Sequence, residues 1–554
     1  MNDFVTYLNG LHNYNAQNQN AYGERNVLSE YYSRTMVKMG ICDHIIKLLK
    51  NEAPHMIILT GHAGDGKTSI MFQVLEQLGK DPKFTDPVHS IHLDGGKECC
   101  CIKDFSELSD EKKRETLEEL VRYPDEAKYV FMVANTGPLI NTFGNLFQDK
   151  EKRDSAKMEM ISAMDSNDGK VRIISGYRIA VINMASIENT DFAVQFLKKI
   201  VDEDLWNKCS DCPKKEYCHI LRNSELIRKY QNSVCDFINK YYFWQSEYGV
   251  RLTVRSIAEH LSYMMTGGFD CEMVGPDEAH KLLFSNLFFG YEGMVSNDLA
   301  DNVLAVRIAK KSRIYQKRMR VDEKLLIQKD YEHLFGTDIQ TIISDADEMP
   351  KQLKAWDDEL RRVYIFMNVE DAEQHQKDTE DIFSREFIPY SKVRNDGERP
   401  AKAMKDLVVD ALHMMYLGTV VGNSGVIQIT MSAESGVTQS VQLIAGEIYT
   451  SWISLAKKDD SNFNNKKYKL FLQINGKDVI ELTLPMLNYF EDLKNGVIAT
   501  NMDPQLTHGI ENLKAMLLSK ANVDDDNIQI VVMTNTGDAK LTSMDIEDGM
   551  LTLK

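Results

Sequence analysis

Residues 55–69 read His-Met-Ile-Ile-Leu-Thr-Gly-His-Ala-Gly-Asp-Gly-Lys-Thr-Ser. Residues 55–60 form a short, apolar, β-favouring run, which predicts a strand. Residues 61–68 match G-x-x-x-x-G-K-[ST] in full. Residues 69–78 (SIMFQVLEQL) carry apolar side chains at helical spacing. Strand, glycine loop and helix, in that order, form the setting in which this motif cradles phosphate. Glycines at 61, 64 and 66 let the backbone turn sharply and bring N–H groups to phosphate oxygens, and the helix N-terminus adds a positive field. Gly61, His62, Ala63, Gly64, Asp65, Gly66, Lys67, Thr68 and Ser69 are therefore the expected ATP-binding segment. Lys67 is expected at the β- and γ-phosphates and the Thr68 hydroxyl on Mg²⁺.

Outward from this segment, residues 55–190 alternate between strand-like and helix-like stretches. Strands are expected at 88–93, 99–103, 129–134 and 177–183, and helices at 69–79, 107–121 and 150–164. Such alternation predicts an α/β fold, a parallel sheet covered by helices. The expected organisation is a helical lead-in (1–50), a P-loop NTPase core (51–190) and an AAA+-like helical lid with a Cys-rich insert (191–290). A helical region (291–417) and a β-rich C-terminal domain (418–554) follow. Residues 257–265 and 302–320 have helical spacing, whereas 336–405 are polar and acidic. Beyond 418, β-like runs are separated by Gly422-Asn423 and Asn475-Gly476, the latter a hairpin signal. Two helices are expected there, at about 486–495 and 505–519.

The chain has 554 residues, of which 43% are hydrophobic, and a net charge of −18. That balance argues against duplex DNA binding through the whole surface but leaves room for a local basic site. No apolar run approaches the roughly 20 residues of a membrane span. The first twenty residues lack a signal-peptide pattern, so a cytoplasmic protein is expected, without membrane association. Asn and Gln crowd residues 14–20, predicting a loose, polar entry to the fold.

An ATPase of this type also needs an acid at a strand end to hold Mg²⁺. Asp104 is the first candidate, with Glu107 three residues on to orient water, and Asp94 is the rival, though Asp94-Gly95-Gly96 also reads as a turn. Asn135 ends the buried-type run 129–134 and resembles the AAA+ sensor 1 residue. Asn135-Thr136-Gly137-Pro138 reads equally well as a turn, with Asn183 the alternative sensor. Arg255 opens a helix capped by Thr253 and resembles the sensor 2 arginine of the lid, or else is a surface ion-pair partner.

The stretch 206–220 (WNKCSDCPKKEYCHI) spaces Cys209, Cys212 and Cys218 as metal ligands would be. A closed structural zinc site needs a fourth ligand. His219 is adjacent but awkward, and Cys235 and His260 are the alternatives. Free thiols or an iron–sulfur cluster are the competing readings. Cys99, Cys100 and Cys101 alternate faces on a strand and read as buried small residues. Residues 307–320 are rich in Lys and Arg. They suit nucleic-acid phosphates, an acidic partner, an arginine finger towards a neighbouring subunit in an oligomer, or a plain solvated face. Arg361-Arg362 is a smaller pair with the same choices.

Taken together, TGHAGDGKTS (60–69), IKDFSEL (102–108), VANTGPL (133–139) and the Cys-rich stretch resemble the DptF family. So do RLTVRSIAEHLSYMMTGG (251–268), FSNLFFG (284–290) and LRRVYIF (360–366). DptF proteins are the P-loop ATPase components of phosphorothioation-dependent DNA restriction systems of bacteria. The resemblance spans roughly residues 50–370 and says little about the C-terminus. It implies an ATPase acting with DptG- and DptH-like subunits, and with DNA directly or through them. It also implies nucleotide roles for Lys67, Thr68, Asn135 and Arg255. Thr136 stands where an acid is expected, which implies slow or partner-dependent hydrolysis. No PD-(D/E)xK nuclease signature is evident, so any DNA cleavage is expected of another subunit. A nucleotide-binding scaffold without turnover and a small-molecule kinase are the alternatives.

Overall fold

The computed structural model describes residues 2–11, 29–82, 84, 86–276, 280–290, 297–335, 337–347, 353–369, 372–419 and 425–431. It also describes 441–461, 463, 466–497, 502–523, 528–533, 539–547 and 550–553. The polar run 14–20 and the Gly422-Asn423 pair lie outside the described residues. The chain divides into two compact units: residues 1–382 with 462–464, and residues 383–461 with 465–554.

The first unit is built on a six-stranded sheet. Its strands are β1 (Met56–Gly61), β2 (Val88–His92), β3 (Glu98–Ile102), β4 (Lys128–Asn135), β5 (Val171–Ile174) and β6 (Tyr177–Asn183). They lie in the order β2-β3-β4-β1-β6-β5. The inner four are parallel, and each edge strand is antiparallel to its neighbour. The sheet is therefore mixed and mostly parallel, where a wholly parallel one was expected. The reason is connection length. A parallel crossover needs a dozen or more residues, whereas β5 and β6 are joined by Ser175-Gly176 alone, both at positive φ (49° and 94°). That is the backbone of a tight hairpin.

The parallel strands are apolar on both faces, as helix-covered strands must be. Ile57, Leu59, Cys99, Cys101, Phe131 and Val133 bury one face against the helices Gly40–Asn51 and Lys67–Gln77. Ile58, Cys100, Ile102, Val130, Met132 and Ala134 bury the other against Asp110–Leu120, Thr136–Gly144 and Lys150–Ser166. The three consecutive cysteines are thus small core residues on alternating faces, as their period requires. Residues 136–138, for which a turn was the alternative reading, open the helix Thr136–Gly144. Pro138 is tolerated because it falls in the first turn, where its missing N–H costs no intrahelical bond.

The helices that follow include Thr190–Ile200, His219–Lys229, Gln231–Glu247 and Val254–Thr266. Asn286 and Arg362 join through an Nε–H···Oδ1 bond of 2.8 Å, and Phe284 packs on Phe366 with ring centres 5.4 Å apart. Residues 302–320 do not form one helix. Leu304–Ser312 ends where Arg313 turns left-handed (φ 46°), and a short 3-10 turn, Ile314–Gln316, follows.

The second unit is β-rich, with helices Leu484–Lys494 and Pro504–Lys520 close to their expected positions. β7 (Val426–Met431), β8 (Val441–Tyr449), β12 (Ile528–Met533), β13 (Ala539–Glu547) and β14 (Met550–Leu553) form one antiparallel sheet. β9 (Ile453–Asp459), β10 (Tyr468–Ile474) and β11 (Lys477–Glu481) form another. Asn475 and Gly476 turn β10 into β11 with φ of 50° and 72°. The unit starts ahead of residue 418, because helix Lys402–Leu417 packs on its strands: the Thr430 hydroxyl donates to the Tyr416 carbonyl at 2.8 Å. Among the described residues no helix is long and apolar enough to cross a membrane.

Candidate functional site

β1 ends at Gly61 and helix Lys67–Gln77 begins six residues later, so residues 62–66 form the intervening loop. Its geometry explains the glycines. Gly61 sits at φ 147°, where a Cβ would lie 2.7 Å from Asp65 Oδ2. Gly64 sits at φ 88°, and its Cβ would meet Thr253 Oγ1 at 3.0 Å. Asp65 is an internal brace: Oδ2 accepts from the His62 N–H at 2.7 Å, and Oδ1 pairs with Arg251 at 2.9 Å. Arg251 also donates to the Met184 carbonyl at 2.8 Å, so it neutralises the carboxylate and ties the loop to the end of β6.

The helix Lys67–Gln77 has Gly66 as its N-cap, no side chain bonded to its first amides and no acid in its first turn. Its N-terminal N–H groups therefore offer an anion cradle without a competing carboxylate. Lys67 is buried, and Nζ donates to the Gly61 carbonyl (3.2 Å), the His62 carbonyl (2.6 Å) and Asn135 Oδ1 (3.0 Å). Burial holds the Lys67 ammonium below the ordinary lysine value, with Asp65 and Asp104 opposing that shift. An incoming anion would relieve the cost of burying this charge.

Strand order brings the expected partners together. β4 lies between β1 and β3, with Asn135 in register with Gly61. Asp104, just past β3, caps the turn Phe105–Glu107 by accepting from the Ser106 N–H at 2.8 Å. The Ser106 hydroxyl meets the Asn135 N–H, also at 2.8 Å. Ala63, Gly64, Asp65, Gly66, Lys67, Thr68, Ser69, Asp104, Glu107, Asn135 and Arg255 all line one cavity of about 290 Å³. Gly61 and His62 serve through their carbonyls on Lys67. Thr253 caps helix Val254–Thr266 as expected, and the Arg255 N–H donates to the Gly64 carbonyl at 3.1 Å, docking that helix on the loop. The Thr136 hydroxyl pairs with that of Thr60 at 3.1 Å.

The two rivals stand elsewhere. Asp94 lies in the connection from β2 to β3, which, with β2 antiparallel, falls at the opposite end of β3 from Asp104. Asn183 spends its side chain on the Ala185 N–H (3.0 Å) and the Ser186 hydroxyl (3.1 Å). The cavity also has an apolar wall that sequence reasoning missed, made by Tyr7, Tyr32, Val37, Met39, Phe192 and Phe196. Gln73 holds part of that wall, donating to the Val37 carbonyl at 3.0 Å. These residues come from separate segments and carry no common motif.

No family model, curated protein or solved structure matches this chain.

The basic stretch 307–320 is dispersed by the break at Arg313. Arg320 pairs with Glu380 and Asp381 (2.5 and 3.3 Å), and Lys310 with Asp301 (3.6 Å). Arg361 grips Asp322 through two bonds of 3.0 and 2.9 Å, and the buried Arg362 lies over the Tyr315 ring. This pair is part of the internal packing.

Of the sulfur ligands, Cys209, Cys212 and Cys218 line a second, much smaller cavity, together with Cys271. Among the described residues, no three His, Cys, Asp or Glu side chains stand in ready-made ion-binding geometry. The three candidates for a fourth ligand do not line that cavity. His219 turns Nε2 to the Thr266 carbonyl (3.2 Å) and packs edge-on to Phe269. Both nitrogens of His260 are engaged, with the Tyr242 hydroxyl and the Phe288 carbonyl, each at 2.8 Å.

Proposed function

We propose that this chain binds ATP with Mg²⁺ in the larger cavity and hydrolyses it, as a P-loop NTPase with an AAA+-like lid. The observation that carries this reading is the bond from Lys67 Nζ to Asn135 Oδ1, with Asp104 and Thr68 on the same cavity. A phosphate cradle, a cation, a strand-end acid and a strand-end amide from three adjacent strands are the parts that phosphoryl transfer needs. Catalysis of this kind is mostly positioning and charge stabilisation.

The residues divide the work by chemistry. The loop amides and Lys67 bind the β- and γ-phosphates. Thr68 and Asp104 would hold Mg²⁺, which when bound screens phosphate charge. Their fit rests on an oxygen donor set, which suits that hard cation. Glu107 accepts a proton from the attacking water, and Asn135 orients it. Arg255 approaches from the helix that docks on Gly64, so phosphate contact there links the nucleotide to the lid. The apolar wall with Tyr32, Phe192 and Phe196 accepts the base. The larger role, a nucleotide-driven switch or motor in a bacterial DNA restriction complex with DptG- and DptH-like partners, rests on the DptF resemblance alone. Thr136, paired with Thr60 instead of offering a carboxylate, favours one second reading: a nucleotide-binding scaffold without turnover.

Asp104→Asn should lower Mg²⁺-dependent phosphate release by about 10²-fold or more while ATP still binds. Asp94→Asn should leave the rate near wild type. Equal loss in both, or loss only in Asp94→Asn, would remove Asp104 from the role.

A further inference from the structure

The small cavity brings together sulfur atoms that the sequence keeps far apart. Cys209 and Cys212 flank a tight turn in which the Cys212 N–H donates to the Cys209 carbonyl at 3.1 Å. Cys218 closes the next turn, its N–H reaching the Lys215 carbonyl at 3.4 Å. Cys271 arrives from the segment after helix Val254–Thr266, and all four line a cavity of about 20 Å³. All nine cysteines are free thiols, and no local pattern flags the fourth.

We propose that Cys209, Cys212, Cys218 and Cys271 bind one Zn²⁺ as four thiolates, a structural centre that staples the Cys-rich insert to the end of the lid helix. Three arguments support it. The ligand set is the closed four-sulfur type that structural zinc prefers. The cavity holds about one water-sized sphere, which suits a single ion and is too small for an iron–sulfur cube. The net double negative charge of zinc with four thiolates would lie among Lys214 and Lys215, which also line the cavity.

The surroundings tie the ligand-bearing segments together. Asn2 Nδ2 donates to Cys209 Sγ at 3.4 Å and to the Leu205 carbonyl at 2.9 Å, while Asn2 Oδ1 caps helix Asp3–Gly10. Lys214 Nζ donates to the carbonyls of Cys271 (3.1 Å), Glu272 (2.8 Å) and Val274 (2.8 Å), drawing the Cys271 segment over the insert. Binding would release the four thiol protons to solvent and draw the thiolates to about 2.3 Å from the ion. The same centre steadies helix Asp3–Gly10, whose Tyr7 and Gly10 line the larger cavity.

The test is metal content of the full-length chain, purified under reducing conditions without chelator. Wild type and Cys235→Ser, whose thiol lies outside the cavity, should each carry about one zinc per chain, and Cys271→Ser below about a tenth of that. Because Cys271→Ser can fail to fold, Co²⁺ exchanged into wild type gives an independent reading. It should show the intense visible bands and near-ultraviolet sulfur charge transfer of a tetrahedral four-thiolate site. Zinc retained undiminished by a folded Cys271→Ser would overturn the ligand assignment. Iron with sulfide in place of zinc, or no zinc and no cobalt spectrum after reconstitution, would overturn the centre itself.

Discussion

Asp65 shows how a motif position can serve the loop instead of the ligand. The motif leaves residue 65 unspecified, yet here its side chain is wholly buried and paired with Arg251. Truncating Arg251 would leave a carboxylate buried without its counter-charge. We expect Arg251→Ala to lower unfolding free energy by about 2 kcal/mol, less than for a fully buried pair because Arg251 is partly exposed. Urea unfolding of wild type, Arg251→Ala, Asp65→Asn and the double variant would measure this, and the double variant should lose less than the sum of the singles. Additive losses would mean that the two side chains do not act as a pair. Lys67, Thr68, Asp104 and Asn135 were legible in the sequence because each sits in, or two residues or fewer beyond, a strand or loop with a local signature. Arg251 and Cys271 were not, since only the folded chain brings them to Asp65 and to the other cysteines.

At the scale of elements, apolar runs made β1, β3, β4 and β6 legible, because strands covered on both faces have no polar positions to hide them. β5 escaped notice: it has four residues, and Ile173 is exposed at an edge. Helix Thr136–Gly144 was hidden by Gly137 and Pro138, which signal a turn unless they fall in a first turn. Helix Val254–Thr266 carries a pH consequence. His260 is fully buried between the Tyr242 hydroxyl and the Phe288 carbonyl, and burial lowers its pKa from 6.5 to about 4. The folded imidazole stays neutral while the unfolded one gains a proton below 6.5, so acid favours unfolding. This stability is present above that value and is lost as pH falls towards 4. From about pH 7 to about pH 5 the loss from this residue is about 2 kcal/mol. His55, His375 and His413 are lowered by burial as well and steepen the same acid limb. Urea unfolding at both pH values should show His260→Gln losing about 2 kcal/mol less than wild type. An identical loss would mean that His260 is not the titrating group.

At the scale of the molecule, the DptF resemblance and the cavity both fall in the first unit, whereas the second unit is antiparallel β structure that no motif explains. Segments 284–290 and 360–366, which carry part of the resemblance, are core: they meet through Phe284, Phe366, Asn286 and Arg362. In this chain those segments are packing elements, while the proposed chemistry rests on the loop and the strand ends. Phosphate release by the full-length chain and by Lys67→Ala, with ATP and Mg²⁺, alone and with DNA and partner subunits, tests the central claim most directly. Wild type should turn over, and Lys67→Ala should lose about 10²- to 10³-fold while remaining folded. No turnover under any of these conditions, or a variant as fast as wild type, would contradict the account.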